Sequence, residues 1–337
     1  MLQKRKALIL VNVGTPDDPG TRSVRKYLTR FLNDKRVIDL PWLLRKVLVN
    51  MIIIPFRVRK SAHLYSRLWT EEGSPLLLYL KALIDKVKGM VPDKIDVFGA
   101  MRYGNPSLAA LLEKLKDKGY SEIKVLPLYP QYAESTTGSV IDLVHTLAEK
   151  KEILPRPSVI EQFWSHPSFI ESFAGRINAC SPGNYDHVIF SYHGLPLRQI
   201  KKIHPGHKPG GCICEKEMPA WGHKCYKAAC YGTTRLIASN LSLDREKYST
   251  AFQSRLTRNW LAPFTDELIV RLAQEGKRRL LVVAPSFVAD CLETTVEIAI
   301  DYNELFKKHG GKELVLVESL NDDHAWAEAL VRIAGIR

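Results

Sequence analysis

This 337-residue sequence lacks the features that mark several protein classes. Its longest apolar stretch is interrupted by charged residues and falls short of the roughly 20 residues that a membrane-spanning helix needs. Gly14 belongs to no G-x-G-x-x-G fingerprint, so little indicates a dinucleotide-binding protein. A helix-turn-helix signal, an aromatic RNA-binding pattern and a long basic tail are also missing, and we therefore expect no nucleic-acid partner.

Cysteine is scarce, with six residues in the chain, and the marks of secretion are missing. The first residues run directly into an apolar strand, without the apolar core and small-residue cleavage site of a signal peptide. We therefore expect a cytoplasmic protein in a reducing compartment, where cysteines serve more often as metal ligands than as disulfides.

Positive charge is what the sequence has in excess. Hydrophobic residues make up 45% of the chain and charged residues 25%, as in a soluble globular protein, yet the net charge is +13. This excess indicates an anionic partner, such as a phospholipid surface or an acidic substrate.

Apolar runs of strand length alternate with amphipathic, helix-length stretches, which predicts an α/β fold with a doubly wound parallel sheet. The predicted strands are Ala7–Val13, Ile95–Phe98, Ile123–Leu128, Val188–Tyr192, Tyr248–Phe252, Leu280–Val283 and Leu314–Val317. The predicted helices include Ser107–Lys116, Ser139–Lys150, Pro167–Ile177, Thr265–Glu275 and Leu292–Phe306.

A seam between two halves is predicted at Pro155-Arg156-Pro157. A weak internal echo supports two similar halves. Gly14-Thr15-Pro16 and Gly194-Leu195-Pro196 both place Gly-x-Pro just past an apolar strand.

The most hydrophobic part of the chain runs from Trp42 to Phe56, and Arg57, Arg59 and Lys60 follow it. One interpretation is an ordinary core helix. The other is an exposed apolar lip, residues 42–60, whose basic collar docks on an anionic membrane and which admits an apolar ligand. The second interpretation adds peripheral attachment to the inner membrane to the expected cytoplasmic location.

Three acids, Glu293, Glu297 and Asp301, stand four residues apart after a predicted strand, so an α-helix would align them on one face. Like charges at this spacing destabilise a helix, and a buried carboxylate needs a partner or a metal. The row is either a solvated face or an inward track for protons or hard cations. The strand-to-helix turn before it favours the track, because ligands collect at the carboxyl ends of strands in such folds.

His193 ends another predicted strand, where a lone histidine is most often structural. If the two strands are neighbours, His193 and Glu293 face a common cleft, in which a neutral imidazole can accept a proton or hold Fe(II). Other strand ends carry side chains suited to a flat anionic ligand: Arg102, Tyr103, Ser135 and Thr136.

Four of the six cysteines share one insert rich in glycine, proline and lysine: Cys212, Cys214, Cys225 and Cys230. This density predicts a metal site in a cytoplasmic protein. Four thiolates suit zinc or an iron–sulfur cluster, and the C-x-C pair, unlike the C-x₂-C of zinc ribbons, favours the cluster. His207 or His223 could replace one ligand.

Eight ordered segments carry a resemblance to a known family: LVNVGTPDDP, LYSRLWTEEGSPL, GAMRYGNPS, LPLYPQYAESTTGS, SYHGLP, AFQSRLTRNWLAPFTDE, VVAPSFVADCLETTVEI and SLNDDHAW. In these the sequence resembles ferrochelatase, which inserts Fe(II) into a porphyrin to make haem. The spellings SYHGLP and LWTEEGSP look more like the protoporphyrin-using enzymes of Gram-negative bacteria than the coproporphyrin-using type.

The resemblance implies two similar Rossmann-like halves, each a parallel sheet flanked by helices, with the active-site cleft between them. Residues 1–155 would form the first half with the apolar lip, and residues 156–320 the second half with the cysteine insert at about 204–230. Residues 321–337 would form a C-terminal helix, and packing of that helix against the N-terminal half is one arrangement we consider.

The resemblance also assigns roles. His193 matches the active-site histidine and Glu293 the essential acid, with Glu297 and Asp301 trailing along the same helix. The predicted porphyrin contacts are Arg102, Tyr103, Tyr65, Trp260, Val13, Ser135 and Thr136. Val13 stands where the coproporphyrin type usually has a tyrosine near the metal, and Cys291 stands where many relatives carry a second histidine.

Metal insertion requires two pyrrole protons to leave as Fe(II) enters. We expect His193 to accept protons or hold the iron, and the three acids to carry the other species. Because many ferrochelatases carry a [2Fe–2S] cluster, and a bacterial subset is thought to place it in an internal insert, the resemblance favours that cofactor on the four cysteines, with zinc as the alternative.

The predicted activity is that of a lyase, protoporphyrin ferrochelatase, which converts protoporphyrin IX and Fe(II) to protohaem in the terminal step of haem biosynthesis. The alternatives are a coproporphyrin-type ferrochelatase, a cobalt or nickel chelatase for a related tetrapyrrole, and a porphyrin or haem carrier. The row of acids speaks against a carrier, which needs no proton route.

Overall fold

The computed structural model describes residues 5–204 and 212–336, so the predicted alternative ligand His207 lies outside the described residues. The chain divides into two compact units. Unit 1 consists of the described parts of Met1–Tyr129, Ala133–Gln162 and Asp322–Arg337, and unit 2 of those of Pro130–Tyr132 and Phe163–Asn321.

The described part of unit 1 contains a four-stranded parallel sheet in the order β2-β1-β3-β4. Nearly all of β1 is buried, as expected for a continuous apolar run in a strand covered on both faces. The strands are β1 (Lys6–Asn12), β2 (Ile95–Met101), β3 (Glu122–Pro127) and β4 (Ser158–Val159).

Helices cover this sheet. They are α1 (Thr21–Leu32), α2 (Trp42–Val47), α3 (Ile54–Leu68), α4 (Pro75–Lys88), α5 (Leu108–Leu115) and α6 (Ser139–Lys150). Two π-helical segments, Leu48–Ile53 and Glu134–Gly138, precede α3 and α6. Apolar residues of α5 and α6 pack with those of β1 and β3 in one core, and α1 and α3 form a second.

The described part of unit 2 repeats this plan with a parallel sheet in the order β6-β5-β7-β8. Its strands are β5 (His187–His193), β6 (Tyr248–Gln253), β7 (Arg279–Val283) and β8 (Glu313–Leu316). Its helices are α7 (Pro167–Ala179), α8 (Leu197–Lys201), α9 (Tyr226–Asn240), α10 (Thr265–Gln274), the π-helix Leu292–Tyr302 and α11 (Asn303–Lys308). Short 3₁₀ turns occupy Pro182–Asn184, Ile213–Glu215, Gly222–Lys224 and Arg245–Lys247.

The C-terminal helix, α12 (His324–Ile333), belongs to unit 1 and packs against α4. Lys86 of α4 pairs with Asp322, and the ammonium group of Lys124 donates to the carbonyl of Ala334 at 2.8 Å. The carboxylate of Asp323 caps the helix, and Trp326 is fully buried.

The predicted α/β fold of two parallel sheets flanked by helices is confirmed. The first residue of each predicted strand lies within one position of the first residue of an observed strand. The two-residue strand β4 was not predicted, because so short a run carries no recognisable alternation.

Candidate functional site

The predicted catalytic residues lie at the carboxyl edge of the sheet in unit 2. His193 is the last residue of β5, which pairs with β6 on one side and β7 on the other. Opposite His193 in β6 is Gln253, whose Nε2 donates to the backbone carbonyl of Glu293 at 3.1 Å. After β7, the Ser286 hydroxyl accepts from the N–H of His193 at 3.3 Å. The strands that precede His193 and Glu293 are therefore neighbours, which was the condition for a common site.

One hydrogen bond fixes the tautomer of His193. Its Nδ1 lies 2.6 Å from the carbonyl oxygen of Gly194. Because a carbonyl only accepts, Nδ1 carries the hydrogen and Nε2 keeps its lone pair in the neutral ring. The rings of Trp260 and Phe287 each have their centroid 6.3 Å from that of the imidazole. His193 can therefore offer Nε2 to a proton or a metal ion.

The helix that carries the acids is a π-helix, so the predicted α-helix over its length is wrong. It begins at Leu292 and ends at Tyr302, where α11 continues. Hydrogen bonds in a π-helix join residues five apart instead of four. Such segments are rare overall, and those that occur are often found at functional sites. The spacing of the acids predicted a common helical face, but it carries no information on the hydrogen-bond register.

The acids differ in their surroundings along this helix. Glu297 accepts from the N–H of Ser254 at 3.0 Å, from its hydroxyl at 2.6 Å and from Tyr302 at 2.8 Å. Ser254 adopts a left-handed backbone with φ of 60°, a costly conformation that its double contact with Glu297 helps to hold. Asp301 is exposed, whereas Glu293 and Glu297 are partly buried. The row therefore leads from the sheet edge towards solvent.

Cys291 occupies the N-cap of the π-helix, where relatives were expected to carry a second histidine. Burial raises the pKa of its thiol well above the ordinary value, and the neighbouring Glu293 raises it further. The thiol is therefore neutral near pH 7 and adds no base to the site.

In unit 1, two predicted porphyrin contacts share a partly buried acid, Asp34, that the sequence did not single out. Asp34 Oδ2 accepts from Arg102 Nη2 at 2.6 Å and from the hydroxyl of Tyr103 at 2.7 Å. Ser139 also donates to this oxygen, at 3.2 Å. Burial raises the pKa of Tyr103 well above its ordinary value. Asp34 follows α1 in a turn with no recognisable motif, so its role becomes visible only when the chain folds.

The other predicted contacts in unit 1 lie around the same region. Val13 accepts a backbone hydrogen bond from Tyr103 at 2.8 Å, and both pack in the core of α1 and α3. Tyr65 of α3 meets Tyr27 edge to face, with ring centroids 6.2 Å apart. Ser135 and Thr136 lie in the π-helical turn Glu134–Gly138, partly buried. Trp260 lies in unit 2 beside His193.

The cysteine insert brings three thiols and an unpredicted histidine into contact. The sulfur of Cys212 lies 3.1 Å from that of Cys214 and 3.0 Å from Nε2 of His204. The sulfur of Cys225 lies 3.4 Å from Nδ1 of the same ring. His204, Cys212 and Cys214 place ligand atoms within 4.8 Å of one another, close enough to hold a metal ion. In the sequence, His204 was recognised only as the start of the insert.

The thiols of the insert are deeply placed. Burial raises the pKa of the Cys214, Cys225 and Cys230 thiols. Lys227, itself buried, donates to Glu215 at 2.6 Å and lowers the pKa of the Cys214 and Cys225 thiols. A bound cation would reverse the effect of burial, because it stabilises thiolates.

The predicted alternative ligand His223 lies in the part of the insert that the structure describes. His223 is exposed in the turn Gly222–Lys224, and all six cysteines are free.

The apolar lip has two faces: Val49, Ile54 and Val58 are buried in the core with α1, as the core-helix interpretation expects, whereas the other face is exposed. Phe56 is 83% exposed, Met51 70% and Trp42 65%. Arg57, Arg59 and Lys60 are exposed as well. Arg45 is instead buried, with its guanidinium donating to the carbonyl of Leu40 at 2.8 Å. Over the described residues, every helix is too short or too polar to cross a bilayer.

Comparison with known proteins identifies relatives over the whole chain. The sequence model of the ferrochelatase family matches residues 5–335. The chain is 41% identical to the ferrochelatase of Legionella pneumophila strain Lens over 335 residues, covering 98% of each chain. It is 40% identical to that of Pseudomonas fluorescens biotype C, covering 96% of each, and 40% identical to that of Coxiella burnetii, covering 97% of this chain and 92% of the relative.

Solved structures share the fold at low sequence identity. The sirohydrochlorin chelatase SirB from Bacillus subtilis subspecies spizizenii, in complex with cobalt, aligns with a TM-score of 0.55 at 11% identity, over 98% of this chain and 94% of that one. SirB from Bacillus subtilis with Fe³⁺ aligns with a TM-score of 0.53 at 12% identity, over 98% and 96%.

Proposed function

The chain belongs to the ferrochelatase family, and from this premise we propose that it inserts Fe(II) into protoporphyrin IX, releases two protons and forms protohaem. This lyase reaction would be the terminal step of haem biosynthesis. The observation that carries the proposal is that Gln253 connects His193 and Glu293 at one sheet edge, in a chain about 40% identical to ferrochelatases over almost its full length.

In the proposed mechanism His193 is the base at the porphyrin. The bond from Nδ1 to Gly194 leaves Nε2 free to accept a pyrrole proton as Fe(II), the substrate metal, enters the ring. A positioned base of this kind typically accelerates a reaction by about 10²–10⁴-fold. Trp260 and Phe287 flank the imidazole and limit its access to water.

The acids of the π-helix form the proposed second route. Glu293 receives the ion or proton at the site, Glu297 relays it and Asp301 exchanges it with solvent. The three donors to Glu297 hold its carboxylate in a fixed position along this route.

For the porphyrin we propose the predicted contacts, with Asp34 added as their support. Asp34 holds Arg102 and Tyr103 in fixed orientations, so that the Arg102 side chain is presented with little loss of entropy on binding. The absence of a tyrosine at Val13 favours protoporphyrin over coproporphyrin.

An anaerobic assay with Fe(II) and each porphyrin tests this function. We expect catalytic formation of protohaem and a lower kcat/KM for coproporphyrin. Stoichiometric binding without turnover would indicate a carrier, and a preference for coproporphyrin would overturn the substrate assignment.

We also propose that the cysteine insert holds a [2Fe–2S] cluster. The residues fit the group, since thiolates are its usual ligands and buried thiols line the insert beside Lys227. Cys212, Cys214, Cys225 and Cys230 would hold it, with His204 in contact with two of them. When bound, such a cluster supplies a one-electron redox centre and ties the insert to α9.

The absorption spectrum and metal content of anaerobically purified protein test the cofactor. A red-brown protein with iron and acid-labile sulfide at the insert is expected. A colourless protein with stoichiometric zinc would contradict the cluster and support the alternative metal.

Finally, we propose that the apolar lip makes peripheral contact with an anionic membrane. Exposed apolar side chains next to Arg57, Arg59 and Lys60 support this contact, because they combine apolar insertion with attraction to acidic headgroups.

A further inference from the structure

The hydroxyl of Tyr226 connects the cysteine insert with the candidate base. It donates to the backbone carbonyl of His193 at 2.9 Å. The Ser286 hydroxyl and the Cys230 thiol also lie close enough to this hydroxyl to influence its pKa, which burial raises. Tyr226 is 7% exposed, so water competes little for these bonds.

Two proposed metal ligands flank Tyr226 on the same helix. Cys225 is the N-cap of α9, and Cys230 lies one turn further along. The carbonyl of Cys225 accepts from Ala229 at 2.9 Å, which closes the first turn of the helix around Tyr226. A metal bound to the sulfurs of Cys225 and Cys230 would therefore fix the helical turn that carries Tyr226.

The peptide that Tyr226 contacts is the one directly before the peptide whose carbonyl orients the imidazole. The carbonyl of His193 and the N–H of Gly194 belong to the same peptide unit, and that N–H donates to the carbonyl of Gln253 at 2.8 Å. The carbonyl of Gly194, in the next peptide unit, accepts from Nδ1 of His193. Movement of the His193–Gly194 peptide would shift this carbonyl and so change the direction in which Nε2 points.

We infer that Tyr226 is a positioning residue through which the metal held by the cysteine insert controls the orientation of His193. This inference rests on the proposed function, because it requires both a metal at the insert and a role for His193 in metal insertion. With the metal bound, the first turn of α9 is fixed and the Tyr226 hydroxyl stays on the His193 carbonyl. Without it, the turn is free to move and the peptide after His193 loses this restraint.

Tyr226→Phe tests the connection, with Tyr231→Phe as the matched control. Tyr231 is also buried on α9 but contacts Lys227 and Phe252 instead of His193. Loss of one buried hydrogen bond should lower kcat by about three- to tenfold, with an unchanged KM for porphyrin and unchanged metal content. Tyr231→Phe should match the wild type in all three.

Removal of the insert metal gives the decisive comparison. Chelator-treated, desalted wild-type protein should lose kcat by a similar factor, whereas treated Tyr226→Phe should lose no more than it has already lost. An equal loss in both proteins would overturn the inference, as would a metal-loaded Tyr226→Phe with wild-type kcat.

Hydrogen–deuterium exchange on wild-type protein provides a measurement that needs no variant. On metal removal, amides of residues 193–197 should exchange faster, whereas those of α10 should keep their rates. Unchanged exchange at 193–197, or an equal increase in α10, would contradict the connection.

Different results would contradict the proposed cofactor and the proposed role of Tyr226. Wild-type protein without metal at the insert contradicts the proposed cofactor before any variant is made. Metal-loaded protein in which Tyr226→Phe has no effect contradicts only the role of Tyr226.

Discussion

The role proposed for His193 depends on one contact that no sequence pattern encodes. The carbonyl of Gly194 takes the hydrogen of Nδ1 and leaves Nε2 as the free nitrogen. The sequence predicted the position of His193 at the end of a strand, because an apolar run before Gly-x-Pro is a recognisable signal. It could not predict the tautomer, which depends on the path of the backbone after the strand.

Asp34 illustrates a residue that supports a site through charge. Replacing it with Asn should lower the free energy of unfolding by about 3 kcal/mol, because the largely buried guanidinium of Arg102 loses its charged partner. Chemical denaturation measures the loss. Asp85→Asn serves as the control, since the pair of Asp85 with Lys88 is exposed and should contribute little. Equal, small effects of the two changes would contradict the importance of Asp34.

His187 should make the stability of the protein depend on pH. Burial, followed by nearby Lys277 and Lys247, lowers its pKa from 6.5 to about 4, and its Nε2 lies 2.9 Å from the Ser249 hydroxyl. Between these values the unfolded chain binds more protons than the folded one. The stability present above pH 6.5 is therefore lost as the pH falls towards 4.

Wild-type protein should lose unfolding free energy between pH 7 and pH 5 through His187, and His187→Gln should remove about 2 kcal/mol of that loss. Denaturation curves at the two pH values measure it, and the exposed His145→Gln on α6 is the control. A wild-type pH slope in His187→Gln would show that other groups cause the acid sensitivity.

At the scale of elements, the prediction succeeded where side-chain periodicity carries the information. The buried runs of β1, β5 and β7 and the amphipathic faces of α5 and α6 were visible in the sequence. The π-helix Leu292–Tyr302 was not, because it differs from an α-helix in hydrogen-bond register and not in residue type.

The apolar lip could not be assigned from composition, since a core helix and a membrane-docking helix contain the same residues. Its exposure now gives a test. A Trp42→Glu, Phe56→Glu double variant should bind vesicles containing phosphatidylglycerol at least tenfold more weakly, because each large apolar side chain gains about 1.5–3 kcal/mol on burial. Co-sedimentation measures the binding. The control, Leu256→Glu, changes an exposed leucine of unit 2 and should bind like the wild type. Equal binding by all three proteins would exclude the lip as the docking surface.

At the scale of the molecule, each unit contains one parallel sheet among its described residues. Candidate functional residues lie at the carboxyl ends of its strands or in the segments that follow them. The family and the two-sheet plan were predictable because ordered motifs cover nearly the whole chain. Contacts made by residues distant in sequence were not, such as those of Asp34 with Arg102 and of His204 with Cys225. Such contacts depend on loops whose paths only the packed structure defines.

The central claim is that His193 and Glu293 act on the metal and protons at a bound porphyrin. The most direct test is to measure kcat and porphyrin affinity in His193→Ala and Glu293→Gln side by side. Both variants should lose at least about 100-fold in the rate of Fe(II) insertion, as expected for a missing acid–base group, and bind protoporphyrin with wild-type Kd. Near-normal turnover in both would contradict the account.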